Sequence, residues 1–265
     1  MILTLRRVYI KMVANKTIAL IGAAGLLGKE LVNSLILAGA NVIAVDINEE
    51  AIAKLREHYI HHPNIVFLSG DISYIPFLES VFDKALSVFG GLDGAVNTTY
   101  PKNKNYGRSF EDVTYSDFCE NLSLHVGGYF LFMQQAVKFS LKNSTEFSLV
   151  NLSSIYGSKA PRFEVYEGTK ITMPVEYAAI KSAINHLTEY VTAYTKKTLF
   201  RVNCVSPGGI LANQDPVFLE AYNKHCNQKG LLEPADVIPT ILFLLSKESK
   251  YVLGQNIIVD DGFCI

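Results

Sequence analysis

At 265 residues, 49% hydrophobic and 18% charged, the chain has enough apolar material for one large core. Its net charge of −1 leaves no electrostatic footprint for nucleic acid or an anionic membrane surface, so neither is expected as a partner. Four widely scattered cysteines (Cys119, Cys204, Cys226, Cys264) exclude a disulfide framework and a Cys-x-x-Cys metal site. No metal is expected, and a reducing cytoplasm fits. No stretch reaches the roughly 18 uninterrupted apolar residues of a membrane span. Basic residues (Arg6, Arg7, Lys11) break up the first apolar stretch, and no signal-peptide core follows. Residues 1–12 read as an extension to one domain over 13–265.

The first strand, residues 17–21, runs into Gly22-Ala-Ala-Gly25-Leu-Leu-Gly28 and a helix over 26–37. Glycines there allow a tight turn, close approach of backbone to a pyrophosphate, and close helix packing, with the helix N-terminus attracting the anion. A strand over 41–46 ends in Asp46, eighteen residues after Gly28, where a carboxylate accepts ribose hydroxyls and repels a 2′-phosphate. That reading favours NAD; the bland alternative is a structural glycine turn with Asp46 capping the next helix. A helix over 49–58, a strand over 65–68 and a helix over 77–89 follow. Asp71, beside Ile72, either addresses an adenine or makes an Asx turn. A strand over 92–97 ends at Asn97, read as structural or a cofactor neighbour. Then come an irregular stretch (100–112), a long helix (118–141) and a strand (147–152). A second irregular stretch (157–174) precedes a helix over 177–197. A strand over 200–205, a helix over 235–246 and a last strand over 255–259 complete the chain. Apolar strands alternating with helices predict a doubly wound, Rossmann-like α/β domain, a parallel sheet covered on both faces.

Tyr177 and Lys181 stand at i and i+4, on one face of their helix. An ammonium beside a phenol lowers the phenol pKa toward working pH, as a proton-transfer catalyst requires. Tyr166 and Lys170 repeat the spacing twelve residues after Ser154, against twenty-three for Tyr177. Apolar periodicity (Ile180, Ile184, Leu187, Val191) selects Tyr177, whereas Gly168 and Pro174 make Tyr166 a loop residue.

Taken together, residues 15–265 resemble the short-chain dehydrogenase/reductase family. The resemblance rests on Gly22/Gly25/Gly28, Asp46, Asp71, Asn97, Asn151-Leu-Ser-Ser154, Tyr177/Lys181, Asn203-Cys-Val-Ser-Pro207-Gly208 and Val259-Asp-Asp-Gly262. It implies hydride transfer between NAD(P) and an alcohol/carbonyl pair, in a homodimer or homotetramer. Tyr177 would be the acid/base, Lys181 would hold the nicotinamide ribose, and Ser154 would bind the substrate oxygen. Cofactor contacts would come from Gly22, Gly25, Leu27, Gly28, Asp46, Asp71, Ile72, Asn97, Tyr177, Lys181, Pro207, Gly208 and Ile210. The insertion at 163–174 and the region 209–232 would shape the substrate mouth. The insertion and the Ile21–Gly28 run also resemble proteins of flagellin-modification clusters that help make unusual sugars, so a small polar, sugar-like substrate is expected.

The departures are specific. Asn97-Thr-Thr-Tyr100 replaces the family's Asn-Asn-Ala-Gly, and Ile21 replaces the threonine before the glycine motif. The glycine spacing matches the family's larger, sugar-nucleotide-acting branch, while the chain length matches the compact one. His125 stands where an asparagine usually anchors a relay water, Asn121 being four residues too early. His125 would position water or pass a proton, with an ionisation near about 6.5, or else be a hydrogen-bonded structural residue. The rival to the enzyme reading is an NAD(H)-binding sensor or scaffold that has lost turnover.

Overall fold

The computed structural model describes residues 12–265. All but Met12 of the expected extension lies outside the described residues. Seven parallel strands form one sheet: β1 (Thr17–Ile21), β2 (Asn41–Asp46), β3 (Ile65–Ser69), β4 (Gly94–Asn97), β5 (Phe147–Leu152), β6 (Phe200–Pro207) and β7 (Asn256–Val259). Their order is β3-β2-β1-β4-β5-β6-β7. The chain reverses its direction of strand addition beside β1, and Ile21 pairs with both Val45 and Asn97, so three strand ends finish level. A crevice at such a switch point is where open α/β sheets take ligands.

The helices are α1 (Leu26–Leu37), α2 (Glu49–His58), α3 (Ile75–Phe89), α4 (Tyr115–Asn143), α5 (Val175–Tyr194), α6 (Pro216–Asn223) and α7 (Pro234–Leu245). Strand residues alternate between two cores, which is why β1 is buried throughout. Ile18 and Leu20 pack with Leu31 and Leu35 of α1 and Ile241 of α7. Ala19 and Ile21 pack with Val81 of α3, Phe132 of α4 and Ile184 of α5. Burying both strand faces requires the continuous apolar runs seen in the sequence.

Several boundaries moved for local reasons. The long helix starts at Tyr115, three residues early, because the Thr114 side chain accepts the Asp117 N–H and caps it. The helix expected to reach residue 197 ends at Tyr194, and Lys197 adopts φ 68°. Helix α6 was not anticipated; Asp215 caps it and Pro216 opens it, within a stretch too short for clear periodicity.

Candidate active site

A cleft of about 1320 Å³ opens at the carboxyl ends of β1, β4 and β5. Gly22, Gly25, Leu27, Asp46, Asp71 and Ile72 line one end. Gly22 has φ 84°, and a Cβ there would lie 2.6 Å from the Thr98 hydroxyl oxygen. A Cβ on Gly28 would lie 2.1 Å from the Gly22 carbonyl oxygen, so Gly28 sits beneath the turn and serves packing of α1. The cradle exists only because side chains are missing, and it suits a pyrophosphate at a helix N-terminus. The Asp46 carboxylate accepts the Ala24 N–H (2.9 Å) and the Asn48 N–H (3.0 Å), bracing the turn with lone pairs to spare. The cap of α2 is Asn48, which accepts the Ala51 N–H, so the capping alternative for Asp46 does not hold. Asp71 does both things considered for it: it accepts the Ser73 N–H at 2.8 Å in an Asx turn and lines the cleft.

Asn97 requires a correction. It is fully buried, and its side-chain oxygen accepts both the Thr99 N–H (3.1 Å) and the Thr99 hydroxyl (2.8 Å). Its carbonyl accepts the Tyr129 hydroxyl at 2.9 Å. It shapes the turn after β4 and leaves the cleft wall to Thr98, Thr99 and Tyr100.

At the other end Ser154 follows β5, facing Tyr177 on the first turn of α5. Ser154 accepts the Tyr156 N–H at 3.2 Å, and Ser153 donates to the Lys181 carbonyl at 3.1 Å, locking strand to helix. The Lys181 ammonium is buried and donates to the Leu152 carbonyl at 2.8 Å. It lies 5.5 Å from the Tyr129 ring centre, 5.7 Å from Tyr177 and 5.9 Å from Tyr100, a cage of three aromatic rings. Burial pushes its pKa down to about 7.

Two electrostatic expectations are overturned. The Tyr177 pKa is raised, first by burial, with the Ser154 hydrogen bond pulling it back. The lysine points at the Leu152 carbonyl, so its charge does not offset the lost hydration of a phenolate. Tyr177 is therefore a neutral phenol, a proton donor, at neutral pH. His125 is fully buried and lies outside the cleft wall, and its pKa falls to about 2 through burial and then the Lys181 charge. The ionisation expected near 6.5 is absent. Neither ring nitrogen makes a hydrogen bond of good geometry among the described residues, although the Thr99 backbone lies close enough to pull the pKa back slightly.

Pro207, Gly208 and Ile210 line the remaining wall, where Gly209 donates its N–H to the Tyr222 hydroxyl at 2.7 Å. Tyr166 closes a 3-10 turn, Phe163–Tyr166, and is buried, which corrects its reading as a loop residue. Its ring packs 5.3 Å from Phe218, and its hydroxyl is 3.4 Å from that of Tyr156. Lys170 lies exposed beyond that turn, so this second pair shares no helix face. The insertion thus puts an aromatic wall, with Tyr156, Phe218 and Tyr222, at the mouth opposite the glycine turn. Sequence reasoning missed Tyr100, Tyr129 and Tyr222. Tyr129 had one signal, its i+4 spacing from His125, which puts both on one helix face. Tyr222 had none, because α6 itself was not anticipated. Among the described residues no His, Cys, Asp and Glu cluster is arranged to hold a metal ion.

Comparison with known proteins agrees with this geometry. A family model described as enoyl-(acyl carrier protein) reductase matches residues 22–264. Post-translational flagellin modification protein A of Campylobacter coli is 40% identical over 255 residues, 95% of this chain and 99% of that protein. A 2,5-dichloro-2,5-cyclohexadiene-1,4-diol dehydrogenase of Sphingobium indicum is 27% identical over 257 residues, covering 94% of this chain and 97% of its own. A short-chain dehydrogenase of Leptospira borgpetersenii, solved with bound NAD+, superposes with a TM-score of 0.84 at 28% identity, covering 96% of this chain and 94% of that one. The chain belongs to the short-chain dehydrogenase/reductase family of oxidoreductases.

Proposed function

We propose that this protein is an NAD-dependent oxidoreductase that interconverts a secondary alcohol and a ketone on a small, ring-shaped, sugar-like metabolite. The observation that carries the reading is that Ser154 and Tyr177 line one cleft whose other end is the glycine turn and Asp46. The caged Lys181 stands behind Tyr177, outside the cleft wall, bonded to the Leu152 carbonyl rather than open to a ribose. NAD, when bound, supplies or accepts the hydride. The glycine turn would receive its pyrophosphate, Asp46 its adenosine ribose, and Pro207, Gly208 and Ile210 its nicotinamide end.

In the reducing direction the Tyr177 hydroxyl gives its proton to the substrate oxygen, while the Ser154 hydroxyl donates a hydrogen bond to the same oxygen. In the oxidising direction the tyrosine oxygen takes the proton back. Lys181, anchored on the Leu152 carbonyl, braces the helix turn behind Tyr177, and the proton of Tyr177 returns from solvent through the cleft that its hydroxyl faces. The aromatic wall of Tyr156, Tyr166, Phe218 and Tyr222 suits the apolar face of a ring, leaving its hydroxyl directed at Tyr177. The sugar-like ring follows from the resemblance of the 163–174 insertion and the glycine run to flagellin-modification proteins, one of which is 40% identical to this chain, and the NAD+ in the Leptospira neighbour favours that cofactor. Apolar side chains exposed on α4 and α5, Phe130 and Tyr190 among them, support a homodimer or homotetramer. Four free thiols fit the cytoplasm.

The test is a spectrophotometric assay of cofactor oxidation and reduction against a panel of sugar-derived and cyclic secondary alcohols and ketones. Turnover of a sugar-like member is expected. Tight NADH binding with no turnover of any member would instead support the sensor reading.

A further inference from the structure

The least expected side chain beside the reaction centre is Tyr100. It stands in the turn after β4 and lines the cleft. Its ring meets Tyr177 edge-on (centroids 5.6 Å, 80°) and His125 edge-on on another side (5.4 Å, 77°). It also forms one wall of the Lys181 cage. Behind it lies a chamber holding the imidazole of His125 and the ammonium of Lys181, with Tyr129 on the far side, 5.3 Å from His125. Tyr100 thus separates two buried titratable groups from the cleft.

A half-exposed tyrosine on a turn would ordinarily sample several rotamers. This one is held. Its hydroxyl pairs with that of Tyr106 at 2.7 Å, and the two rings meet edge-on. Between them, Asn103 is knotted to α4: its N–H donates to Asn121 (2.9 Å), and its amide group donates to Asp117 (2.9 Å) and Glu120 (2.7 Å). Asn105 adds a second donor to Asp117 at 2.8 Å. The Asn121 amide then donates to Glu176 at 3.2 Å. Glu176 is fully buried and immediately precedes Tyr177. One polar network therefore ties the turn bearing Tyr100 and the helix turn bearing Tyr177 to the same stretch of α4.

We propose that Tyr100 is a positioning residue of this reaction centre: its pinned ring holds the Tyr177 phenol toward Ser154 and closes the His125–Lys181 chamber against the cleft. The proposal rests on Tyr177 being the acid/base. The groups facing His125 are Lys181 from α5, the Thr99 backbone and the phenols of Tyr100 and Tyr129, with Lys181 the charge that acts on it. Burial is the first cause of its depressed pKa, so admitting water at the Tyr100 position should return it toward its ordinary range.

The experiment compares wild type with Tyr100→Ala, Tyr100→Phe and Tyr177→Phe. His125 is followed by NMR of its ring protons, assigned with His125→Phe. Its resonance should be silent from about pH 5 to 8 in wild type and in Tyr100→Phe. In Tyr100→Ala it should titrate within about one unit of 6.5. With the alcohol turned over best in the panel, Tyr100→Ala should lower kcat about tenfold or more while NADH affinity stays within about twofold, and Tyr100→Phe, which keeps the ring but loses its bond to Tyr106, should fall between the two. If Tyr100→Ala does not fold, Tyr100→Leu, which keeps an apolar contact without a ring, takes its place. A folded variant with wild-type kcat and a silent His125 overturns the proposal. If Tyr177→Phe retains full turnover, the acid/base reading fails, and the NMR arm still decides whether Tyr100 seals the chamber.

Discussion

His125 gives a sharp test, because its burial makes a quantitative demand on stability. The imidazole titrates near 6.5 when unperturbed and at about 2 in the folded chain. Between those values the unfolded state binds more protons, so stability rises with pH across this window and is lost as pH falls below 6.5. At about pH 5 the unfolded imidazole is protonated roughly thirtyfold over its neutral form, while the folded one remains neutral. The loss relative to neutral pH is about 2 kcal/mol, and it hardly depends on the folded value so long as that lies below about 4. For a chain of this size the same loss lowers Tm by roughly 4–8 °C. The assay is urea unfolding of the apo protein at about pH 7 and about pH 5, wild type against His125→Phe, which keeps a ring in the site. The difference between the two losses of stability on acidification isolates this histidine from the five others. Wild type should lose about 2 kcal/mol more than the variant. Equal losses would mean that water reaches the imidazole, and the closed chamber would have to be abandoned.

Three further outcomes follow from the proposed site. Tyr177→Phe should lower kcat by about 10²-fold or more with NADH affinity nearly intact, whereas Tyr166→Phe, in the aromatic wall, should move the substrate KM more than kcat; the reverse pattern would exchange the roles of the two tyrosines. Direct titration should show tighter binding of NADH than NADPH, since a 2′-phosphate would face the Asp46 carboxylate, and Asp46→Ser should narrow the gap. Equal wild-type affinities would remove Asp46 from that role. Light scattering at micromolar concentration should report a dimer or tetramer, and a monomer would leave the exposed Phe130 and Tyr190 without a partner.

The alternating apolar runs determined the architecture, because a strand buried on both faces must be apolar at every position and must be separated from the next parallel strand by a covering helix. The nucleotide end was equally legible. Gly22 and Gly28 are local requirements of a tight turn and a close helix approach, and Asp46 falls at a strand end three residues from a helix start. Helical spacing likewise put Tyr177 and Lys181 on one face and set Tyr166 apart. What the sequence could not supply was the environment of those side chains. Spacing predicts that an ammonium four residues on lowers a phenol pKa. Only the packed structure directs that ammonium at Leu152 and buries the phenol, reversing the sign. His125 titrates like any histidine on paper; its value near 2 needs Tyr100, Tyr129 and Lys181, from a turn and two helices, closed around it. Tyr100 itself had no periodic signal, since it stands in an irregular stretch. Its role depends on a network from Asn103 through Asn121 to Glu176, residues as many as 73 positions apart that meet only when α4 and α5 pack side by side. Periodicity records what a residue must do for its own element. Desolvation and long-range pinning depend on which elements become neighbours, and the tertiary fold alone decided those.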